Sequence, residues 1–287
     1  MITDKTVSLI ECPRDAMQGW PTLISTQDKI RYINQLLKVG FHTIDFGSFV
    51  SPKAIPQMAD TKEVLGQLDL SVSATKLLAI VANYRGAFEA VTHENITYLG
   101  YPFSISPTFQ KLNTNSTIVE AFDVVKQIQE LCFKHDKTLV VYLSMAFGNP
   151  YNDLYDANIV IEWLNKTKNL GVKIMSVADT VGLAKVEDVE HLLKLALQHS
   201  NGIELGVHLH SSPLDQHLKI DAAFNAGCRR FDGALKGIGG CPMANNPLVG
   251  NIDSIFMVDH FKTLAALNNY NFEALQSALV IADEIFN

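Results

Sequence analysis

Residues 204–210 read Glu204-Leu205-Gly206-Val207-His208-Leu209-His210, a short run that carries two histidines separated by one residue. Side chains along a β-strand alternate between its faces, so His208 and His210 share one face and Val207 and Leu209 share the other. Two neutral imidazoles about 6–7 Å apart on one face can both reach one small cation. The run therefore predicts a strand that ends in part of a metal site. Core histidines satisfied by hydrogen bonds are the alternative that this spacing leaves open.

Composition and charge exclude several classes of protein. The 287-residue chain carries a formal net charge of −7, which gives no electrostatic footprint for nucleic acid. No hydrophobic run is long and uncharged enough to span a bilayer, and the first residues lack the pattern of a secretion signal. The four cysteines, at positions 12, 132, 228 and 241, do not have the spacing of a zinc ribbon or a disulfide framework. We expect a cytoplasmic protein with free thiols and with neither a membrane nor a nucleic-acid partner.

Strand-like and helix-like segments alternate along the whole chain. Eight apolar or β-branched runs are predicted as strands, at residues 7–12, 42–47, 77–82, 96–103, 138–145, 173–178, 204–210 and 230–235. Helical patterns lie between them, and two more helices are predicted at about 252–267 and 272–285. Eight such units predict an α/β fold, a (β/α)8 TIM barrel with additional C-terminal helices, as a single catalytic domain over residues 1–287. The competing open doubly wound sheet lacks a G-x-G-x-x-G turn after residues 7–12.

The active site of such a barrel lies where strands end and loops begin. Polar side chains occur at these positions in the predicted order of elements: Arg14, Asp15, Asp45, Asp179, His208, His210 and Cys241. Residues 13–21, which contain two prolines and a glycine, are predicted to form a loop after the first strand, and residues 111–116 a polar loop. The polar residues are therefore expected to meet at one end of the barrel.

Residue chemistry suggests a role for each of these positions, and each role has an alternative. Asp15 with the two histidines suits Mg²⁺, Mn²⁺, Zn²⁺ or Fe²⁺. Arg14 can polarise a carbonyl or hold an enolate oxygen, or it can simply pair with Asp15. Asp179 can act in the site or cap the turn at Thr180.

Cys241 follows three glycines in the loop Gly237-Ile-Gly-Gly-Cys241-Pro242. A loop thiol near a metal can act as an acid or base if its pKa is lowered, and a small buried hydrophobe is the alternative. The glycines favour a mobile loop over a buried one.

Six motifs make the chain resemble 3-hydroxy-3-methylglutaryl-CoA lyases, within the metal-dependent pyruvate-carboxylase and isopropylmalate-synthase-like TIM-barrel superfamily. They are Pro13-Arg-Asp-Ala-Met-Gln18, Ser48-Phe-Val-Ser-Pro-Lys53, Ala178-Asp-Thr-Val-Gly182, Val207-His-Leu-His210, Gly237-Ile-Gly-Gly-Cys-Pro242 and Gly250-Asn251. The resemblance extends over nearly the whole chain. The motifs at residues 48–53 and 237–242 together favour the lyase over its synthase and aldolase relatives.

The resemblance implies an acyl-CoA substrate and cleavage of hydroxymethylglutaryl-CoA to acetyl-CoA and acetoacetate. It implies a divalent cation, Mg²⁺ or Mn²⁺ in preference to Zn²⁺, bound by Asp15, His208, His210 and Asn251. It further implies that Arg14 stabilises the enolate oxygen and that Cys241 delivers a proton to the enolate carbon. Gln18, Asp45, Ser48 and Asp179 match positions at or next to the substrate. Whether the chain forms a homodimer is left open.

Several positions depart from the family pattern. The family's Arg-Asp-Gly-Leu-Gln is here Arg14-Asp-Ala16-Met17-Gln18, which brings bulkier side chains to the substrate end. The acidic residue that matches Asp45 is usually a glutamate, and the aspartate after the second histidine is Ser211. Two alternatives stay open: a related aldolase or Claisen-type synthase on another acyl-CoA or 2-oxo acid, and a non-catalytic barrel that binds acyl-CoA or an enzyme partner.

Overall fold

Eight parallel strands close into a barrel in the computed structural model, which describes residues 5–240 and 249–287. The strands run in chain order around the barrel, and each pairs with its sequence neighbours until the eighth pairs with the first. They are β1 Ser8–Glu11, β2 Thr43–Ser48, β3 Lys76–Ile80, β4 Ile96–Ser104, β5 Thr138–Ser144, β6 Ile174–Ala178, β7 Glu204–His208 and β8 Arg230–Gly233. This closure confirms the predicted TIM barrel and excludes the open doubly wound sheet.

Eleven α-helices lie within the described residues. They are α1 Pro13–Gln18, α2 Thr26–Leu36, α3 Thr61–Leu65, α4 Tyr84–Ala90, α5 Pro107–Thr114, α6 Ile118–Lys134, α7 Ala157–Asn169, α8 Val186–His199, α9 Gln216–Ala226, α10 Ser254–Thr263 and α11 Phe272–Ile285. None of these described helices is both long enough and apolar enough to cross a bilayer.

Two apolar layers hold the barrel together. The larger one lies between the strands and the surrounding helices. The smaller one fills the barrel interior and contains Leu78, Val140, Tyr142 and Ile174. Because strand side chains alternate, Val140 and Tyr142 face inward while Val141 and Leu143 join the outer layer. By the same alternation, the polar residues at the carboxyl ends of the strands lie on the inner face of the barrel.

The structure corrects three local expectations. The predicted loop after β1 contains the short helix α1, which begins at Pro13, because proline suits the first helical turn and sacrifices no hydrogen bond there. The predicted polar loop at 111–116 overlaps α5, which begins at Pro107 behind the N-cap Ser106. Strand β7 ends at His208, so His210 lies beyond the strand and forms an isolated antiparallel bridge with Asn251.

Candidate active site

Helix α1 presents three polar side chains in a single turn directly after β1. The Oδ1 atom of Asp15 accepts hydrogen bonds from Nη1 of Arg14 at 2.9 Å and from Nε2 of Gln18 at 3.1 Å. Asp15 and Gln18 are three residues apart, which places their side chains on one face of the helix. The helix therefore orients the Asp15 carboxylate through its own neighbours.

Arg14 bridges this carboxylate to β2. Its Nε donates to Oδ2 of Asp45 at 3.0 Å, and its Nη2 donates to the same oxygen at 2.5 Å. Burial raises the pKa of Asp45 to about 6, although the adjacent Arg14 opposes that rise. The other oxygen of Asp45, Oδ1, is buried without a hydrogen-bond partner. An unpaired acceptor of this kind can receive a hydrogen bond from a bound ligand.

His208 is oriented by Asp232, which lies opposite it in the register of β7 and β8. The Nδ1 atom of His208 is 3.3 Å from Oδ2 of Asp232. A carboxylate at this position holds the proton on Nδ1, so Nε2 keeps its lone pair for a cation. Burial alone would lower the pKa of His208, but the hydrogen bond and charge of Asp232 raise it.

His210 is oriented by a backbone carbonyl. Its Nδ1 lies 3.0 Å from the carbonyl oxygen of Val249, an arrangement that again leaves Nε2 available. Burial, with the neighbouring His208, lowers the pKa of His210 to about 4, which keeps this ring neutral near pH 7. The ring centroids of His208 and His210 are 5.1 Å apart. The two rings therefore converge although only His208 belongs to the strand.

Asn251 reaches the same carboxylate from the opposite end of the chain. Its Nδ2 donates to Oδ2 of Asp15 at 2.8 Å and to the carbonyl oxygen of Ile238 at 2.9 Å. Its Oδ1 is buried and has no hydrogen-bond partner. This oxygen is therefore free to face a cation held by Asp15.

A metal ion fits these residues. One ligand atom each from Asp15, His208 and His210 lies within 4.8 Å of the others, and the oxygen of Asn251 is left unpaired beside them. Burial would raise the pKa of Asp15, but Arg14 and the two histidines outweigh it and lower that pKa to about 2. An ionised carboxylate, imidazole nitrogens and an amide oxygen make a donor set suited to Mg²⁺, Mn²⁺ or a related divalent cation.

Gly239 allows the loop after β8 to approach this group. A Cβ atom at this position would lie 2.5 Å from Nδ2 of Asn251 and 3.1 Å from Oδ2 of Asp15. Its backbone φ of +113° is also one that side-chain-bearing residues rarely adopt. A larger residue here would push the loop away from the carboxylate.

A cavity of about 340 Å³ opens beside the polar group, a size typical of small-ligand sites. Its charged and imidazole-bearing lining residues are Arg14, Asp15, Asp45, His208 and His210, and Gln18 lies beside them. The rest of the wall is largely apolar and includes Val50, Ile55, Ile80, Pro102 and Phe109. A ligand with one polar end and an apolar body matches this distribution.

Asp179 and Ser48, two of the residues expected in the site, do not line the cavity. Both carboxylate oxygens of Asp179 accept backbone hydrogen bonds, from Leu183 at 2.8 Å and from Ala184 at 3.1 Å, and its side chain does not line the cavity. Ser48 is buried, and its hydroxyl has no hydrogen-bond partner. Cys241 lies outside the described residues.

Sequence reasoning missed three residues at or near the site. Asp232 lies two positions after Arg230 on β8 and so on the same face of that strand, a spacing that the sequence alone could have indicated. Cys12, one of the cysteines whose spacing indicated no site, lines the cavity. Lys219 is buried on α9 and donates from Nζ to the carbonyl oxygen of His210 at 3.0 Å. Only the packing of α9 against the barrel reveals that contact.

Comparison with known proteins gives consistent matches over the length of the chain. The model of the HMGL-like family matches residues 8–280. A hydroxymethylglutaryl-CoA lyase of Bacillus subtilis is 32% identical over 93% of this chain and 88% of its own length. An (R)-citramalyl-CoA lyase of Chloroflexus aurantiacus is 28% identical over 96% of this chain and 89% of its own length.

A solved structure extends these similarities to the fold. The HMG-CoA lyase of Acinetobacter baumannii, in complex with coenzyme A and 3-methylmalate, superposes with a TM-score of 0.91 at 29% identity. The match covers 100% of this chain and 93% of that one.

Proposed function

The chain belongs to the HMGL-like family, whose relatives here are carbon–carbon lyases, and we propose that it cleaves 3-hydroxy-3-methylglutaryl-CoA to acetyl-CoA and acetoacetate with a divalent cation. The convergence of Asp15, His208 and His210 beside a cavity with an apolar wall is the observation that carries this proposal. We assign the cation to these three residues and to Asn251, with Mg²⁺ or Mn²⁺ as the metal. The relatives' substrates support an acyl-CoA as the ligand of the cavity.

The substrate class requires loss of a proton from a tertiary hydroxyl and transient formation of an enolate. A bound divalent cation supplies a Lewis acid that lowers the pKa of that hydroxyl. Oδ1 of Asp45 has no partner in the structure, and this carboxylate would accept the proton that the hydroxyl loses. Arg14, which already bridges two carboxylates, would direct its positive charge at the enolate oxygen as the carbon–carbon bond breaks.

Other residues would orient the substrate and complete proton transfer. Gln18 lines the cavity and would contact the acyl group. Ser48, which ends β2 and does not line the cavity, has an unpaired hydroxyl that would donate to a substrate group reaching that strand end. Cys241, on the loop that contains Gly239, would deliver the proton to the enolate carbon. Asp179, with both oxygens held by backbone amides, would position the loop after β6.

The proposal is tested by product analysis with purified protein. Added Mg²⁺ or Mn²⁺ should support release of acetoacetate from hydroxymethylglutaryl-CoA, and a chelator should abolish it. His208→Ala should lose both metal binding and turnover. His191→Ala, a change at an exposed histidine on α8, serves as the matched control. If the metal binds but acetoacetate never appears, the substrate assignment is wrong.

Citramalyl-CoA is the second candidate substrate, because one relative with 96% coverage of this chain is an (R)-citramalyl-CoA lyase. Both substrates would present a tertiary hydroxyl and a carboxylate to the same polar group. The two are compared in one assay that measures acetoacetate and pyruvate separately. A higher kcat/KM for citramalyl-CoA would show that citramalyl-CoA, and not hydroxymethylglutaryl-CoA, is the preferred substrate. The proposed lyase chemistry would stay the same.

A further inference from the structure

A second group of metal-ligating side chains shares His208 with the first. One ligand atom each from Cys12, His208 and Asp232 lies within 4.8 Å of the others. Cys12 and Asp232 are only 1% and 2% exposed, and Cys12 lines the cavity through which an ion could enter. Oδ1 of Asp232 is buried and has no hydrogen-bond partner. The group therefore contains a thiol, an imidazole and a carboxylate with unused ligand capacity.

The chemistry of this group differs from that of the first. A sulfur ligand favours Zn²⁺, Cd²⁺ and other thiophilic cations, whereas Mg²⁺ and Mn²⁺ prefer oxygen. Nδ1 of His208 and Oδ2 of Asp232 are 3.3 Å apart. In a tetrahedral site with metal–ligand bonds of about 2.0–2.1 Å, two ligand atoms lie about 3.3 Å apart, which matches this distance. Nδ1 of His208 and Oδ2 of Asp232 could therefore both bind one zinc ion without a change in the distance between them.

We propose that Cys12, His208 and Asp232 form a binding site for a thiophilic divalent cation, and that its occupation excludes the catalytic cation from Asp15, His208 and His210. The two sites exclude each other because the neutral His208 ring keeps one proton, so only one of its two nitrogens can bind a cation. In the catalytic arrangement, His208 carries its proton on Nδ1 beside Asp232 and offers Nε2.

Binding at the thiol site reverses this tautomer. The thiol proton of Cys12 leaves to water as the sulfur–metal bond forms. A cation on Nδ1 displaces the ring proton, which moves through solvent to Nε2. A protonated Nε2 has no lone pair to offer, so the catalytic group loses one of its two imidazoles. Inhibition of turnover by this route rests on the proposed function, but the binding of the thiophilic cation does not.

Cadmium binding tests the site without any substrate. Titration of metal-free protein with Cd²⁺ should produce the ultraviolet charge-transfer band of a cadmium–thiolate bond at one equivalent. Cys12→Ser should lose the band and bind Cd²⁺ at least about tenfold more weakly. Cys132→Ser and Cys228→Ser, changes at two other buried free cysteines, are the matched controls and should keep it.

The same titration examines the loop cysteine. Cys241→Ser should also retain the band. Loss of the band in Cys241→Ser together with its retention in Cys12→Ser would overturn the proposal. Cys12→Ala repeats the comparison with a residue that cannot hydrogen bond, and circular dichroism verifies that each variant is folded.

Exclusion of the catalytic cation is measured by Mn²⁺ binding, followed by electron paramagnetic resonance. One equivalent of Cd²⁺ should release bound Mn²⁺ from the wild type, whereas Cys12→Ser should need at least about tenfold more. Equal release from both proteins would show that Cd²⁺ enters the Asp15 group directly, and would contradict the proposal. Because neither readout uses an acyl-CoA, a wrong substrate assignment leaves this result unaffected.

Discussion

Arg14 links the two carboxylates of the candidate site. Its guanidinium donates to Asp15 from Nη1 and to Asp45 from Nε and Nη2. Burial would lower the pKa of Arg14, but these two carboxylates raise it, so the side chain stays charged. A planar group with several donors can satisfy both partners at once, which a single ammonium cannot do.

We expect Arg14→Lys to lower kcat by roughly a hundredfold, because a lysine cannot hold both carboxylates and also face the enolate oxygen. Steady-state kinetics on hydroxymethylglutaryl-CoA and Mn²⁺ affinity are measured for the same preparation. Arg85→Lys, a change at an exposed arginine on α4, is the control. Turnover at the wild-type rate in Arg14→Lys would remove Arg14 from the mechanism.

Glu11 is a second buried acid, and it connects β1 to the elements after β8. Its Oε1 accepts from the backbone N–H of Leu235 at 2.9 Å, and its Oε2 is 2.5 Å from the hydroxyl of Ser254. Burial raises its pKa from 4.5 to about 8, against the opposing effect of these hydrogen bonds. The carboxyl group is therefore protonated at neutral pH in the folded state.

This pKa predicts that stability falls as the pH rises. Between about pH 4.5 and pH 8 the folded state holds a proton that the unfolded state has lost, so the contribution is complete below pH 4.5 and is lost through pH 8. Glu11→Gln mimics the protonated acid. We expect the free energy of unfolding of the wild type to fall by roughly 3 kcal/mol more than that of Glu11→Gln between pH 5 and pH 8. Urea unfolding at both pH values measures this, and parallel curves would contradict it.

Helix α9 joins the loops that follow β6 and β7. Nζ of its buried Lys219 donates to the carbonyl oxygen of His210 at 3.0 Å and lies 3.5 Å from Oδ2 of Asp179. Asp179 in turn holds the backbone N–H groups of Leu183 and Ala184. A helix outside the barrel thereby fixes the backbone of His210, whose imidazole belongs to the candidate site.

Removal of the Lys219 ammonium group should lower both the stability of the fold and the affinity of the metal site. We expect Lys219→Met to lower the free energy of unfolding by about 3 kcal/mol, since it leaves the buried Asp179 carboxylate without its charged partner. Mn²⁺ affinity should fall with it, and Lys219→Met with Asp179→Asn should recover part of the stability. Lys194→Met on α8, which breaks only an exposed pair with Glu190, should cost less than about 1 kcal/mol.

Unchanged Mn²⁺ affinity in a folded Lys219→Met protein would mean that His210 is held adequately by its other contacts. These are the hydrogen bond to Val249 and the bridge to Asn251.

Across the whole molecule, the candidate ligands come from both ends of the chain. Asp15 follows the first strand, His208 ends the seventh strand with His210 just beyond it, and Asn251 follows the eighth. Closure of the barrel by the pairing of β1 with β8 brings them together. A cation bound there would join segments more than 230 residues apart, since the Asn251–Asp15 contact spans 236.

A ligand that binds only the folded state stabilises it by mass action. Mn²⁺ at a hundred times its dissociation constant should add about 2.7 kcal/mol and raise Tm by roughly 5 °C. Scanning calorimetry with and without the metal measures the rise, and His208→Ala should show none of it. The same rise in His208→Ala would mean that the stabilising ion binds elsewhere.

Local sequence patterns were sufficient to predict the fold and most of the polar residues that line the cavity. Alternation of apolar runs with helical spacing predicted eight units, because each strand and helix must bury its own apolar face. The motif around Arg14, Asp15 and Gln18 and the paired histidines identified the strand ends. Six of the ten residues expected in the site line one cavity, and a seventh, Asn251, bonds to Asp15.

Contacts between elements decided the rest. No pattern in one segment shows that Asp232 of β8 faces His208 of β7, that Lys219 of α9 reaches the carbonyl of His210, or that Cys12 lines the cavity. Sequence determined the barrel and the residue types at its mouth, because backbone alternation and helical periodicity are local. Tertiary structure decided which nitrogen of each histidine is free and which carboxylates share an arginine, because those depend on distances that only the closed barrel sets.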